Sequence, residues 1–260
     1  MIFVAKELLY ALTELFSTTK FRVILLGLVL IAAMISVSEL AVAKLFTKII
    51  LDEGSISQTM FTVLVTFFFL FFGVTRGGHF LQRVYRVKFF DKAFKASDNV
   101  RARAKAKAKE NWRWSLAFEL TNLLSTLTQL GVIVSFFTYL NWRFGVINIL
   151  IVLVVFQVYG RLFRHQIEAQ RGFVVARKNK EHVPNVVRIG TRIKSGETGI
   201  LLSSIAMLIL LAMLIYLSYT GEISKANTIV LFFGLRMQNS NFANISTSLM
   251  RFARARTHSE

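Results

Sequence analysis

Residues 60–80 read MFTVLVTFFFLFFGVTRGGHF, and residues 81–96 continue as LQRVYRVKFFDKAFKA, without a glycine or proline. The first stretch meets the roughly 20 apolar residues needed to cross a hydrocarbon core about 30 Å thick. Nothing in the second stops the helix that the first begins, so one rod is predicted to cross the bilayer and run on into the cytosol to about Ala96. Ser97, Asp98 and Asn99 follow, good N-cap residues for a second helix that returns through the alternating Ala and basic residues of 101–109 and ends at Leu140. A helix of some 40 residues is about 60 Å long, so it should stand roughly 20 Å clear of the membrane.

Working outward, further apolar blocks occupy 23–43, 116–140, 144–160, 200–217 and 228–249. Six spans are expected, the third and sixth being the most polar. The second cytosolic connection repeats the first: 161–180 is helix-compatible, Pro184 and Asn185 mark a break, and 186–194 starts the way back. The expected fold is therefore an all-α membrane protein of six transmembrane helices, with cytosolic helical hairpins near 81–115 and 161–199.

Composition excludes other classes. The 260 residues are 54% hydrophobic, with 25 Phe, one Pro and no Cys, and the mean hydropathy is +0.54. A soluble domain is about 45–50% apolar, with the apolar residues dispersed rather than blocked. Without Cys there are no disulfides, thiolate metal sites or Cys nucleophiles. The four His do not stand at ligand spacing, so no metal site is expected. No Gly-x-Ser-x-Gly elbow or acid/base carboxylate pair occurs, so no catalytic residue is expected in this chain.

A net charge of +18 could indicate nucleic acid, but that reading needs a basic face on a soluble fold. In a membrane protein the same excess orients the chain, because cytosolic segments carry more Lys and Arg. Segments 1–22, 81–115, 161–199 and 250–260 hold 26 of the 32 basic residues, and the three intervening connections hold four: Lys44, Lys48, Arg143 and Lys225. Both termini are accordingly expected in the cytosol. Residues 1–20 form an amphipathic stripe, with Val4, Leu8, Leu12, Leu15 and Phe16 on one side and Lys6, Glu7 and Glu14 on the other. An interfacial elbow helix is predicted there, without a cleavable signal peptide; 21–257 form the transmembrane domain and 258–260 a tail.

Four local patterns, in order, are similar to those of one family. They are Phe46-Thr-Lys-Ile-Ile-Leu-Asp52, Asn141-Trp-Arg-Phe-Gly-Val-Ile-Asn-Ile-Leu150, Gly221-Glu-Ile-Ser-Lys-Ala-Asn-Thr-Ile-Val-Leu-Phe232 and Ser248-Leu-Met-Arg-Phe-Ala-Arg-Ala-Arg-Thr-His-Ser-Glu260. With six spans and cytosolic arms, the chain resembles the transmembrane domain, or permease subunit, of ABC exporter-type transporters. The resemblance implies a dimer with a second copy or a homologous permease subunit, lining a pathway for a lipid, peptide or glycan in a bacterial-type inner membrane. No G-x-x-x-x-G-K-[ST] loop occurs, so ATP and Mg are expected on a separate nucleotide-binding ATPase subunit. The arms are shorter than the family's, and the first lacks the usual "G-x-l-x-S-R-x-x-x-D" stretch. A non-transporting membrane scaffold that keeps an exporter-like fold is therefore the alternative.

Charges inside spans cost about 2.5–3.5 kcal/mol at mid-membrane and normally face protein or water. Glu39, Arg76, Glu119 and Arg236 are such charges, with Arg236 the deepest; Arg76 and Glu119 lie near the cytosolic boundary, where snorkelling or interhelical pairing would serve equally. The sixth span adds Asn239, Ser240 and Asn244 among eight polar residues, fit either to line a wet pathway or to pack by amide hydrogen bonds. The substrate-pathway candidates are Arg236, Asn239, Ser240, Asn244, Glu39 and Arg76. By resemblance, the turn tips Ser97, Asp98 and Asn99, and Val186, Val187 and Arg188, are the candidates for coupling to an ATPase; simple loop caps are the plainer alternative. The 101–109 run suits anionic headgroups, an acidic partner or a solvated helix.

Overall fold

The computed structural model describes residues 2–16, 18–51, 57–98 and 106–259, and the side chains of all but 96–98, 106–109 and 259 among them. Seven α-helices account for nearly all of these: α1 (Ile2–Leu15), α2 (Thr19–Leu51), α3 (Gln58–Asp98), α4 (Ala106–Leu140), α5 (Trp142–Lys178), α6 (Asn185–Tyr219) and α7 (Lys225–Ser259). The protein is an all-α, multi-pass helical bundle, and α2, α3, α4, α5 and α6 are each long and apolar enough to cross a membrane. The expected sixth span falls within α7. That helix has the length, 35 residues, but Arg236, Gln238, Asn239, Asn241 and Asn244 dilute its apolar run.

The rods are longer than a bilayer needs. At 1.5 Å per residue the 41 residues of α3 extend about 60 Å and the 37 of α5 about 55 Å. The sequence predicts this helix to about Ala96, and α3 ends two residues later, at Asp98, taking in Ser97 and Asp98, which the sequence reading places at the turn. The turn at Asn99 and most of the 101–109 run lie outside the described residues.

Turn chemistry explains the described connections. Asn141 separates α4 from α5 by itself: its backbone is extended, and its Oδ1 accepts from Phe144 N at 2.9 Å. So short a turn presses the start of α5 onto the end of α4, and a Cβ on Gly145 would lie 2.5 Å from Thr138 Cα. Only glycine fits there. The α6–α7 turn uses Gly221 at φ 77°, a left-handed conformation natural to glycine. Between α5 and α6 the chain ends one helix at Asn179, takes Lys180 through φ 60°, and restarts after Pro184, at the predicted break.

α7 is the central post, packed against α2, α4, α5 and α6. α3 is peripheral: 11% of its membrane-length stretch is buried, against 44% for α2, so Phe67, Phe69 and Phe72 point outward, where lipid would meet them. Two materials hold the bundle together. Around α1 and the long ends of α3 and α4 the contacts are aromatic. Phe16, Phe89, Phe90 and Phe94 are buried, with Phe90 edge-on to Phe118 at 5.1 Å and Phe94 to Trp114 at 5.2 Å. Where water meets the chain the hydrophobic effect acts on such rings, and each pair adds about 0.5–1.5 kcal/mol.

Where α5, α6 and α7 meet, close approach and hydrogen bonds take over, the means by which helices also associate in lipid. Ser195, Gly196, Gly199, Ser203 and Ala206 form a buried small-residue stripe on α6. Ser246 Oγ donates to Gly196 O at 2.9 Å, and the Tyr159 hydroxyl lies 3.2 Å from Gly199 O and 3.1 Å from Phe242 O, one proton serving two carbonyls on two helices.

α1 rests on α4 and α5; of the predicted stripe Leu8, Leu15 and Phe16 are buried, with Ala11 beside them, while Val4 and Leu12 are half-buried. Glu7 does not face away with Lys6. It turns to Arg256 at the end of α7, which also takes Glu14 at 2.6 Å and lies over the Tyr10 ring at 4.5 Å. The guanidinium is 6% exposed, so the pair fastens the first helix to the last.

Candidate functional site

A groove of about 450 Å³ runs between α2 and α7 and ends against Phe68 of α3. Its walls are largely apolar, from Val42, Ala43, Phe46, Phe233 and Met237, and three polar side chains enter it: Glu39, Arg236 and Ser240. The sequence placed these three residues on two spans distant in the chain, and the fold brings them to one cleft. Arg236 is exposed and has no ion pair or side-chain hydrogen bond among the described residues. Glu39 lies 3.7 Å from His79 Nε2 on α3, both side chains more than one third exposed.

The helical period explains which side of α7 opens here. Phe233, Arg236, Ser240, Asn244 and Arg251 are exposed, three or four positions apart except for the last step, and make one stripe. The opposite side is buried and polar. Gln238 and Asn148 exchange two amide hydrogen bonds at 2.7 and 3.1 Å, and Asn122 donates to Ser248 at 2.7 Å. An exposed polar stripe and interhelical packing are thus both present on α7, divided between its faces. Asn239 sits at the border, half-buried, and its Oδ1 is buried without a hydrogen-bond partner among the described residues.

Arg76 does not line the groove. It lies over the Phe72 ring of its own helix at 5.2 Å. Gly78 packs on Ile35 and His79 meets Glu39, so Arg76 stands level with the middle of α2. Glu119 is paired instead, 3.9 Å from Arg251. His79 carries no motif in the sequence, and only the α2–α3 register reveals it as the partner of Glu39.

Of the expected coupling residues, Ser97 and Asp98 end α3, and Asn99 lies outside the described residues. Val186 is 82% exposed and Val187 49%, in the first turn of α6, where Arg188 donates to Asn185 Oδ1 at 3.0 Å. Arg188 and Arg192 also face the end of α7. Burial first, then these two charges, lower the Arg254 pKa from its ordinary value. Burial first, then Arg254, Arg177 and Arg188, lower that of the His258 imidazole. Trp112 braces the group: His258 stacks on it at 4.4 Å, with Arg254 over its ring at 5.4 Å. The rods on this side end in a concentrated cationic base.

Among the described residues, no three of His, Asp and Glu gather as metal ligands. Comparison with known proteins gives no matching family model and no matching curated protein.

Proposed function

We propose that the chain is the permease subunit of an ABC exporter-like transporter, in which two such subunits enclose a pathway and a separate ATP-binding subunit works on the cationic base. The observation that carries this reading is the exposed stripe of α7. Arg236 facing lipid would cost about 2.5–3.5 kcal/mol at mid-membrane, so the stripe calls for a second subunit and water in front of it. With α7 as the sixth crossing and the termini in the cytosol, the groove between α2 and α7 becomes part of the shared interior. Arg236, Ser240 and Glu39 then meet polar or charged parts of a substrate, and Phe46, Phe68, Phe233 and Met237 meet its apolar parts. Val186, Val187 and Arg188 on the exposed tip offer an apolar and basic footing to an ATPase with an acidic surface.

A membrane scaffold is the second reading. It is favoured by the continuous packing of α5 on α7, from Asn148–Gln238 down to the 6.1 Å Phe163–Phe252 ring contact, with α6 fastened to α7 where Ser246 meets Gly196.

A photo-crosslinking amino acid at Val186 tests the proposal in cells. The permease reading expects capture of a nucleotide-binding protein, reduced by Arg188→Ala, and loss of nucleotide-dependent transport on Arg236→Leu with unchanged membrane insertion. Capture of a non-ATPase protein by correctly inserted chain, with Arg236→Leu silent, overturns it in favour of the scaffold.

A further inference from the structure

We propose that the junction of α1 with α5 is a binding site for an anionic phospholipid, distinct from the α2–α7 groove and independent of any transport role. Two cavities adjoin there, sharing Gly160 in their walls. The first, about 290 Å³, is lined by Gln157, Arg161, Arg164, His165 and Glu168 of α5 and by Phe3 of α1. The second, about 190 Å³, is bounded by Val4 and Leu8 of α1, Leu127 of α4, Phe156 of α5, and Ile245 and Leu249 of α7.

The charge in the first cavity is uncommitted. Among the described residues Arg161, Arg164 and His165 have no ion pair, and Arg164 only lies over the Phe3 ring at 5.3 Å. Glu168, one turn beyond Arg164, is the single carboxylate in the wall. Two guanidiniums, an imidazole and the Gln157 amide present donors to an anion with several acceptor oxygens, and a phosphodiester is such an anion.

The order of the chambers selects the source of that phosphate. The apolar run of α5 ends at Gly160. The basic chamber begins there, and the apolar chamber lies a turn back along the run, at Phe156. That is the sequence of a lipid, headgroup at the surface and chain inward. A free phosphate would use the first chamber and leave the second without purpose. The basic side of the bundle is also the side expected to meet the anionic cytosolic leaflet.

Native mass spectrometry of the full chain in detergent, with added dioleoyl phosphatidylglycerol, dioleoyl phosphatidylcholine or glycerol 3-phosphate, tests the site. Phosphatidylglycerol should be retained over phosphatidylcholine by about fivefold per arginine, roughly 25-fold in all. Arg161→Gln with Arg164→Gln should remove that preference, and glycerol 3-phosphate should not displace the lipid. Ala5 of α1 also lines the apolar chamber, so Ala5→Phe, which narrows it and leaves the arginines in place, should lower phosphatidylglycerol retention severalfold even if the double variant folds poorly. Equal retention of the two lipids, a preference that survives the double variant in folded protein, retention unchanged by Ala5→Phe, or displacement by glycerol 3-phosphate alone overturns the proposal. The last outcome would mark a free-phosphate site.

Discussion

Gly199 shows how much of this bundle depends on the absence of a side chain. A Cβ there would meet Ser246 Cβ at 2.9 Å and Tyr159 Cε1 at 3.2 Å, the residues that join α5, α6 and α7. Gly199→Ala should therefore lower stability by about 1–3 kcal/mol, the usual cost of overpacking a fitted contact. Gly27→Ala meets nothing within 4 Å and should be neutral or stabilising by up to about 1 kcal/mol, through helix propensity. Thermal unfolding of the two variants in one detergent compares them directly, and equal shifts would contradict the packing argument. The sequence carried this signal in the four-residue spacing of Ser195, Gly199 and Ser203, a small-residue pattern that apolar-block reading passes over. Arg256 was less legible. Its partners Glu7 and Glu14 stand more than 240 positions away, and nothing in local pattern joins a C-terminal arginine to an N-terminal helix.

The ends of the helices offer a test of how they are threaded. The natural chain has no Cys, so each introduced thiol is unique. Val186→Cys at the start of α6 and Tyr219→Cys at its end, 82% and 90% exposed, should react with a membrane-impermeant maleimide from opposite sides of a sealed vesicle. Ser240→Cys should react with a small charged thiol reagent, and Leu208→Cys, exposed on the apolar face of α6, should not. Reaction of Val186→Cys and Tyr219→Cys from the same side would rule out α6 as a crossing. Most elements were readable because their signals are local. Apolar length fixed five rods, Pro184 marked one restart, and the gap between the blocks ending at Leu140 and beginning at Phe144 marked the turn that Asn141 alone makes. The use of α7 was not readable, because a polar helix looks alike whether its amides face neighbours or water. Only the arrangement of four surrounding helices sets Gln238 against a neighbour and leaves Arg236 exposed.

Across the whole molecule, charge accumulates where α4, α5, α6 and α7 come together at one end, around His258. The fold lowers the pKa of this imidazole, so between that lowered value and the ordinary value of about 6.5 the folded state binds fewer protons than the unfolded one. The stability contribution is therefore full above about pH 6.5 and is lost as pH falls through the folded value. In a Trp114→Phe, Trp142→Phe background, Trp112 emission should stay level at neutral pH and drop with a midpoint below about 6.5, as the stacked imidazole gains its proton. His258→Gln should abolish the transition, and a midpoint above the ordinary imidazole value would contradict the burial.

At the opposite end, Arg143 Nη1 donates to Glu222 Oε1 at 2.8 Å, tying the start of α5 to the turn between α6 and α7. The tip at Val186 lies some 50 Å along α6 from that tie, at 1.5 Å per residue. α6 is held at that extremity and again at Gly199 and Gly196, so only its first turns, about 15 Å from Gly196 to Val186, extend past the last hold. Any bending of that tip is smallest at Gly196 and widest at Val186, so a modest push on the exposed end is geared down to a fine adjustment deep inside the bundle.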